Sequence, residues 1–342
     1  MKGNQILLDH VGAREAAALL VDGRLSDLLI DGDAPRPGTV YRAVTARPAA
    51  GQGGVFVKTP DGQAYLRGVK GIGAGEVIHV QVTGYGEPGK AIPVTHKLLF
   101  KSRYAIVTPE APGLNLSRSI RDDDVRDALL GLAHDAMDGC GMGLILRSAA
   151  AAAGADADAV AEDIAAMRDL AEQVARDQGT GPEVLSLGDG PHVLAWRDWA
   201  GHADVVTEAG CFESHGVLDA IDAARSARVP LGGGASMFVE ATRALVAVDV
   251  NTGADGSFAA GLKANMACAR ALPIALRVRG FGGQITIDLA PMPKKERRTF
   301  EAALRTALRD DDVETVLAGW TPLGHFELQR KRARLPLSQV LA

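Results

Sequence analysis

The chain has 342 residues, of which 47% are hydrophobic, and a formal net charge of −5, which argues against a protein coated in basic surface. This length exceeds what one compact core usually holds and predicts two or three modules. No run approaches the roughly 20 apolar residues that cross a bilayer. The N-terminal stretch lacks the apolar segment of an export signal, and three scattered cysteines fit neither a disulfide framework nor a Cys-x-x-Cys zinc site, so a cytoplasmic protein is expected.

Short strands separated by turns dominate the first hundred residues. Residues 1–35 predict two strands, with a turn at Asp22 and Gly23. Four further β-type runs alternate with Gly and Pro turns, at 40–46, 54–57, 64–67 and 77–83. Strands of this length and spacing predict a small barrel such as an OB fold.

Residues 104–188 predict a separate unit of strands and helices. Its expected elements are a strand at 104–107, a loop at 117–119, a helix at 121–138, an apolar run at 143–148 and an Ala-rich helix at 157–177. Gly179 and Pro182 supply the stop signals for the last helix. A strand at 193–196 is then expected to return to the N-terminal unit, which makes the barrel an insertion.

The last unit is expected to begin after a Gly-rich linker at 230–234. The sequence of this unit predicts a strand–helix–strand motif whose helix spans 258–277. A further helix at 294–309 follows, because apolar residues recur there every four positions, and two strands close the unit.

Two aspartates end the strands of this motif, in Val-Ala-Val-Asp249 and Ile-Thr-Ile-Asp288. A helical crossover makes the two strands parallel, so both side chains are expected at one edge of the sheet, where ligands of open α/β sheets bind. Two carboxylates are hard oxygen ligands suited to Mg²⁺. The alternative is that Asp249 merely begins an ordinary turn with Asn251 and Gly253.

The charge is unevenly distributed along the chain. Residues 270–334 contain 13 Lys and Arg against 8 acids, an excess of five positive charges. A basic region beside a metal edge is what a polyanionic substrate needs. For residues 294–298 alone, a solvated helix face is the simpler interpretation.

The chain resembles the ribonuclease E/G family over essentially its whole length and in the same order. The matching runs are 237–253, Asn265, 277–288 and 321–330, with looser matches at 143–148, at 117–118 and in the N-terminal hairpin. The resemblance implies an α/β fold of mixed α+β, multi-domain type. Its expected parts are an RNase H-like unit at 1–36 and 190–224, an inserted S1-like OB-fold barrel at 37–102, a 5′-phosphate sensor region at 103–189, and a DNase I-like βαβ catalytic subdomain at 225–342.

The resemblance also implies a catalytic centre. Asp249 and Asp288 would hold one Mg²⁺ ion, and Asn251 would fix their geometry by a hydrogen bond. The chemistry agrees, because Mg²⁺ on two carboxylates polarises a phosphodiester oxygen and activates water. Asn251 lies two residues after Asp249 and so shares its side of an extended segment. The implied product carries a 5′-phosphate.

A second implied site binds the 5′-monophosphate of the RNA. Arg147 and Ser148 correspond to this pocket, and Ile106 to a backbone contact there. A guanidinium binds two phosphate oxygens and a hydroxyl adds a third donor. The alternative is that Arg147 pairs with an acid such as Asp163.

In the barrel, Phe56 and Tyr65 resemble aromatic residues that stack on bases, and Lys90 a lysine on the RNA backbone; Arg118 is likewise expected to contact RNA. Stacking tolerates any base sequence. The alternative is that these aromatic residues belong to the barrel core. It is strong for Phe56, because an aromatic residue within a short strand is more often in the core, whereas Tyr65 lies among polar residues.

The chain lacks the Cys-x-x-Cys zinc link and the small domain of longer family members, so we expect a monomer or weak homodimer and no zinc-linked tetramer. Gly84 stands where a second lysine of the barrel contacts phosphate, which implies a weaker grip. The predicted function is a Mg²⁺-dependent endoribonuclease that cleaves single-stranded RNA in rRNA or mRNA processing or decay. The alternatives are a non-catalytic or weakly active RNA-binding relative and, more remotely, a phosphoesterase acting on small substrates.

Overall fold

The computed structural model describes residues 3–46, 53–69, 71–152, 154–199, 201 and 203–341. Its contacts divide the chain into two compact units, one formed by Met1–Gly32 with Ala203–Ala342 and the other by Asp33–His202. The second unit therefore interrupts the first in sequence. Both units mix strands and helices. In the part of the chain that is described, no helix combines the length and the apolar character needed to cross a membrane.

The secondary structure is rich in short strands. In chain order the strands are β1 (Asn4–Val11), β2 (Arg14–Val21), β3 (Arg24–Ile30), β4 (Val40–Thr45), β5 (Gly54–Thr59), β6 (Gly62–Arg67), β7 (Val77–Val82), β8 (Ile92–Thr95), β9 (Phe100–Lys101), β10 (Ala105–Thr108), β11 (Gly113–Leu116), β12 (Gly143–Leu146), β13 (Glu183–Ser186), β14 (Ala203–Val206), β15 (Arg228–Gly232), β16 (Ala235–Ala241), β17 (Val246–Asn251), β18 (Gly283–Asp288), β19 (Thr315–Trp320) and β20 (Phe326–Arg330). The helices are α1 (Asp123–Ala136), α2 (Ala157–Ala175), α3 (Pro191–Trp199), α4 (Cys211–Ser214), α5 (Val217–Arg225), α6 (Phe258–Arg279), α7 (Arg297–Arg309) and α8 (Leu337–Val340), with 3₁₀ turns at Ser148–Ala151 and Lys294–Glu296.

A four-stranded sheet opens the first unit. Strands β1, β2 and β3 form an antiparallel meander, and β14 pairs with β1 in parallel. The sequence predicts two strands before residue 35, and β3 is additional because Asp27 interrupts its apolar pattern. The Asp27 carboxylate is buried and pairs with Arg334 and Arg277. Such pairing allows a charge to stand inside the fold.

The strand predicted at 193–196 is wrong, because these residues lie in α3. Pro191 begins the helix, where its fixed φ suits the first turn. Ala195 is buried, whereas Val193 and Trp196 are about half exposed. A four-residue apolar run carries no period that separates a strand from a helix. The strand that returns to β1 is β14.

Strands β4 to β8 close into a five-stranded barrel in the second unit. The order is β4-β5-β6-β8-β7, and β7 pairs again with β4. Inward-facing side chains such as Val57, Ala64 and Val80 are fully buried. The predicted barrel is confirmed and is consistent with an OB-like unit. Strand β8 is additional, because its four residues include Pro93, which argues against a strand when the sequence is read alone.

The rest of the second unit contains a small sheet covered by two helices. The strand order is β11-β12-β10-β9, with β11 and β12 parallel. Helices α1 and α2 share one core with this sheet, through residues such as Leu129, Ile164 and Leu144. The helices predicted at 121–138 and 157–177 are confirmed.

A six-stranded sheet forms most of the remainder of the first unit, in the order β15-β16-β17-β18-β20-β19. The pair β17–β18 is parallel and the other neighbours are antiparallel. Helices α6 and α7 share one core with the sheet. The predicted strand–helix–strand motif is therefore confirmed.

The linker predicted at 230–234 is wrong, because these residues belong to β15 and to its turn into β16. The turn needs glycine. Gly232, Gly233 and Gly234 all have positive φ. A Cβ on Gly253 would also stand 2.7 Å from the Gly234 carbonyl oxygen, so the turn packs closely on the segment that follows β17.

Candidate active site

Asp249 and Asp288 lie opposite each other on the parallel strands β17 and β18. The preceding pair, Val248 and Ile287, is buried in the core shared with α6 and α7. Side chains alternate along a strand and paired residues share a face, so both aspartates project from the face that points away from this core. Neighbouring strands are about 4.8 Å apart, so the two carboxylates converge.

The two carboxylates have few partners. The Asn251 side chain donates a hydrogen bond from Nδ2 to Oδ2 of Asp249 at 2.7 Å. His325 Nε2 lies 3.7 Å from Asp288 Oδ1, which is longer than a hydrogen bond. Within the described ranges, neither aspartate forms an ion pair with Lys or Arg, and the Asp288 side chain is 68% exposed. Two neighbouring negative charges thus face solvent without a compensating cation.

A divalent metal ion fits this set of donors. Among the residues that the structure describes, no group of three or more His, Cys, Asp or Glu side chains is arranged around a possible metal position. A cation at this edge would therefore take oxygens from Asp249 and Asp288 and complete its shell with water or substrate oxygens. Mg²⁺ is commonly bound in this way, by one or two carboxylates together with phosphate and water.

The segment after Asp288 is held by two residues of α6. Asn265 is fully buried, donates from Nδ2 to the Ala290 carbonyl oxygen at 2.9 Å, and accepts from the Ala290 N–H at 3.0 Å. One turn earlier, a Cβ on Gly261 would stand 2.0 Å from the Pro291 carbonyl oxygen. Helix and segment thus approach as closely as their backbones allow, which fixes where β18 ends.

The basic excess at 270–334 is partly internal. Arg277 and Arg330 each approach Asp311 Oδ2, at 3.2 and 3.1 Å, and Asp311 has no exposed side-chain surface. Arg334 pairs with the buried Asp27. Three of the cations that suggested a polyanion-binding region are therefore paired within the fold, where they share the carboxylates of Asp27 and Asp311, and they contribute little to its surface.

Arg147 follows β12, and its guanidinium is engaged by protein groups. Nη2 lies 2.6 Å from Asp198 Oδ1, and Nη1 donates to the Ser102 carbonyl oxygen at 2.6 Å. Asp163, the acid considered as a partner from sequence, instead accepts hydrogen bonds from Ser102 Oγ and from the Tyr104 N–H. The structure thus pairs Arg147 with an acid, but with a different one.

Asp198 is the centre of a charged cluster. Lys101 Nζ and Arg197 Nη2 also approach it, each at 2.9 Å, and Arg197 pairs in addition with Asp189 at 2.6 Å. Burial alone would raise the pKa of Asp198, but hydrogen bonds and positive charges from Arg197 and Lys101 outweigh it and lower the pKa to about 2. The cluster thus contains three cations (Lys101, Arg147 and Arg197) and two carboxylates (Asp189 and Asp198), so it keeps a net positive charge.

The other residues expected in the phosphate pocket surround Arg147 at the end of the sheet. Ser148 is exposed and begins a 3₁₀ turn, and Ile106 lies in β10, which pairs with β12. Strands β11 and β12 are parallel and end together, so the loop containing Arg118 leaves the sheet at the same edge. Arg118 is exposed, and within the described part of the chain nothing pairs with its guanidinium.

Phe56 and Tyr65 are paired across β5 and β6 on the outer face of the barrel. Their ring centroids are 5.0 Å apart with planes at 52°. Both side chains are half-buried, whereas the neighbouring Val57 is in the barrel core, so Phe56 is not a core residue despite its place within a strand. Lys90, in the β7–β8 loop, is exposed and pairs with Glu87 at 3.0 Å.

Comparison with known families extends the resemblance seen in the motifs. The model of the ribonuclease E/G family matches residues 100–202 and 197–333, about two thirds of the chain. The chain belongs to this family. Ribonuclease G of Salmonella typhimurium is 26% identical over 310 residues, which cover 78% of this chain and 62% of that protein. Ribonuclease E of Nostoc sp. is 28% identical over 295 residues, covering 74% of this chain and 42% of that protein.

A chloroplastic ribonuclease E/G-like protein of Arabidopsis thaliana is 33% identical over 132 residues, covering 36% of this chain and 13% of that protein. The chain thus spans about three fifths of the length of the ribonuclease G proteins that it matches. The family model includes both aspartates and the Arg147 region, since all lie within residues 100–333.

Two groups near the aspartates in this ribonuclease E/G family chain were not singled out from the sequence. His325 stands in the turn before β20, and only the pairing of β20 with β18 brings it near Asp288. For Gly261 the sequence offers a signal, because it lies four residues before Asn265 in the predicted helix and so shares one face with it. Asn265 was noted only as part of the family match, and its contacts make it a positioning residue.

Proposed function

We propose that the protein is a Mg²⁺-dependent endoribonuclease that cleaves single-stranded RNA and leaves 5′-phosphate products, in rRNA or mRNA processing or decay. The observation that carries this proposal is the in-register pairing of Asp249 and Asp288 on adjacent parallel strands, with Asn251 bonded to Asp249. The matched relatives are named as ribonucleases, which supports the same reaction.

The residues of this edge have distinct tasks. Asp249 and Asp288 supply the oxygens that hold the cation, and Asn251 keeps the Asp249 carboxylate in one orientation. The bound ion would polarise a phosphodiester oxygen and favour in-line attack by water. A new bond forms between the water oxygen and phosphorus, the bond from phosphorus to O3′ breaks, and the proton passes to the leaving oxygen. The downstream fragment then carries the 5′-phosphate.

Substrate binding is proposed to involve three further groups of residues. Arg147, Ser148 and the Ile106 backbone would receive a 5′-monophosphate, aided by the net positive charge of the cluster around Asp198. Phe56 and Tyr65 would stack on bases. The exposed cations Lys90 and Arg118 would contact the RNA backbone.

The finer organisation is part of the same proposal. It comprises the RNase H-like unit at 1–36 and 190–224, the barrel at 37–102, the sensor region at 103–189 and the DNase I-like subdomain at 225–342. The proposal also includes a cytoplasmic location and a monomeric or weakly dimeric state.

The test is cleavage of a 5′-labelled single-stranded oligoribonucleotide with Mg²⁺ or with a chelator. We expect internal cuts only with Mg²⁺, and downstream fragments that a 5′-phosphate-dependent exonuclease degrades. Asp249→Asn prepared by the same protocol is the control, because a contaminating nuclease would be present in both preparations and only the activity of this site would be lost. Products with a 5′-hydroxyl, or undiminished cleavage by Asp249→Asn, would contradict the mechanism. Salt-sensitive RNA binding without any cleavage would instead support a non-catalytic RNA-binding relative.

A further inference from the structure

A cavity of about 570 Å³ lies within the first unit, and its lining includes neither Asp249 nor Asp288. It is bounded by the β2–β3 turn, by α5, by the start of β15 and by the C-terminal half of α6. This volume is in the range of sites that bind small molecules. The proposed RNA chemistry uses none of its residues.

The walls of this cavity are aliphatic. Leu20 and Leu25 line one side, and Val229, Ile274 and Val278 line the others, with several alanines between them. Neither Phe, Tyr nor Trp contributes to the lining. Such walls gain from burying an alkyl body, by about 0.8 kcal/mol per CH₂ group in general, and offer no aromatic face on which a planar base could stack.

The charged side chains that line the cavity are all basic. They are Arg24, Arg228 and Arg279, accompanied by His215, and no Asp or Glu lines the cavity. Within the described ranges, none of the three arginines forms an ion pair with a carboxylate. Apolar walls combined with unneutralised positive charge favour a ligand that is apolar at one end and negative at the other.

Arg279 makes this argument specific, because it is only 6% exposed. Its Nη1 donates to the Ala275 carbonyl oxygen at 3.2 Å and its Nη2 to the Ser226 carbonyl oxygen at 3.0 Å, while the buried Nε meets no acceptor. Carbonyl groups are neutral and leave the charge uncompensated. Burial accordingly lowers the pKa of Arg279.

Two other arginines of the same unit are treated differently by the fold. The buried Arg330 is held by Asp311, and the partly buried Arg334 by Asp27. Burying a charge without a counter-charge is unfavourable, and an anion beside Arg279 would offset that loss. The difference therefore indicates that the missing counter-charge comes from a ligand.

We propose that this cavity binds an amphipathic organic anion, with an aliphatic body of medium chain length and one carboxylate head that lies beside the arginines. The site is independent of the proposed ribonuclease function.

The test uses the full chain and three probes: decanoate, decyltrimethylammonium and acetate, each below its micelle-forming concentration. Calorimetry gives the affinities, and the methyl resonance of Ile274, assigned with Ile274→Val, reports the place of binding. We expect decanoate to bind at least about tenfold more tightly than the ten-carbon cation, since the head group contact is charge-assisted, and acetate not to bind measurably. The Ile274 methyl should shift, and that of Ile78 in the barrel should not.

Two variants at exposed lining positions test the geometry without disturbing the core. Ala223→Leu places a larger side chain at the cavity and Arg228→Gln removes one charge, and each should weaken decanoate binding by about tenfold. The matched controls are Ala166→Leu, at an exposed position of α2, and Arg225→Gln, whose side chain pairs with Asp222. Arg279→Met should abolish the preference for the anion if it folds.

Equal affinity for the two ten-carbon probes, the absence of decanoate binding, an unshifted Ile274 methyl, or full affinity in Ala223→Leu would each overturn the proposal. RNA cleavage is measured in parallel, and its presence or absence leaves the outcome of this test unchanged.

Discussion

Two of the edges where parallel strands end differ in how the fold treats their charges. At the ends of β17 and β18, the Asp249 and Asp288 carboxylates converge on an open face, and the described residues supply no Lys or Arg to either. At the ends of β11 and β12, Arg147 is paired with Asp198 and bonded to a backbone carbonyl. The carboxylates at the first edge therefore have no counter-charge from Lys or Arg among the described residues, whereas the guanidinium at the second edge is already paired.

This difference separates two kinds of functional residue. A group that the fold leaves uncompensated is available to a ligand at no loss of internal contacts. A group already held by the fold must share its donors, and its removal changes stability as well as binding. Arg147 is of the second kind, while the exposed Arg118 at the same edge is of the first.

The largest expected effect is at the aspartate edge. Asp288→Asn should slow RNA cleavage by about 10²–10³-fold or more, because one carboxylate alone holds Mg²⁺ poorly. The unfolding temperature of this variant without Mg²⁺ should equal that of the wild type or be slightly higher, since the repulsion between two like charges is removed. Glu240→Gln, on the same face of the sheet, is the matched control and should retain activity. A clear loss of stability in Asp288→Asn would mean that the carboxylate is structural.

The second effect concerns the 5′ end of the RNA. An RNA with a 5′-monophosphate should be cleaved roughly tenfold to a hundredfold faster than the same RNA with a 5′-hydroxyl, because a charge-assisted contact contributes about 1.5–3 kcal/mol. Arg147→Gln should remove this preference by slowing only the phosphorylated substrate. Arg118→Gln should slow both substrates equally. If Arg118→Gln alone removes the preference, the end is recognised by the uncompensated arginine.

The third effect is on stability and its dependence on pH. Asp198→Asn should lower the free energy of unfolding at neutral pH by about 1–3 kcal/mol, because three cations lose a partly buried counter-charge. The folded pKa, about 2, lies below the ordinary value of 3.8, so this contribution is present above pH 3.8 and is lost as the pH falls through 2. Urea unfolding at several pH values should show the difference from wild type shrinking over that window. Asp169→Asn, in an exposed ion pair, should have little effect at any pH.

The smallest effect is expected in the barrel. Tyr65→Leu should weaken binding of a single-stranded oligonucleotide by about 1 kcal/mol, at the low end of the usual range because the ring also contacts Phe56. Tyr65→Phe keeps the stacking surface and should bind normally. Equal loss in both variants would point to the hydroxyl group, and no loss in Tyr65→Leu would remove this face from the RNA path. Fluorescence anisotropy at fixed salt measures all three proteins.

Much of the aspartate edge follows from local sequence. Alternation in Val246–Asn251 and Gly283–Asp288 predicts two strands, and the helical stretch between them makes the strands parallel. Asn251 shares the side of Asp249 because side chains repeat every two residues in a strand. These rules act within one crossover, so they need no knowledge of the rest of the chain.

The sequence by itself determined four of the five barrel strands, the long helices and the pairing of Asp249 with Asp288, because periodicity and crossover geometry are local. Only the tertiary structure decided that 193–196 is helical, that Arg147 meets Asp198 and not Asp163, and that Arg277, Arg330 and Arg334 pair with the buried Asp27 and Asp311. The partners in these contacts are separated by tens to hundreds of residues along the chain. Whether a charge is compensated depends on which distant side chains the packing brings to it, and a sequence pattern does not record that.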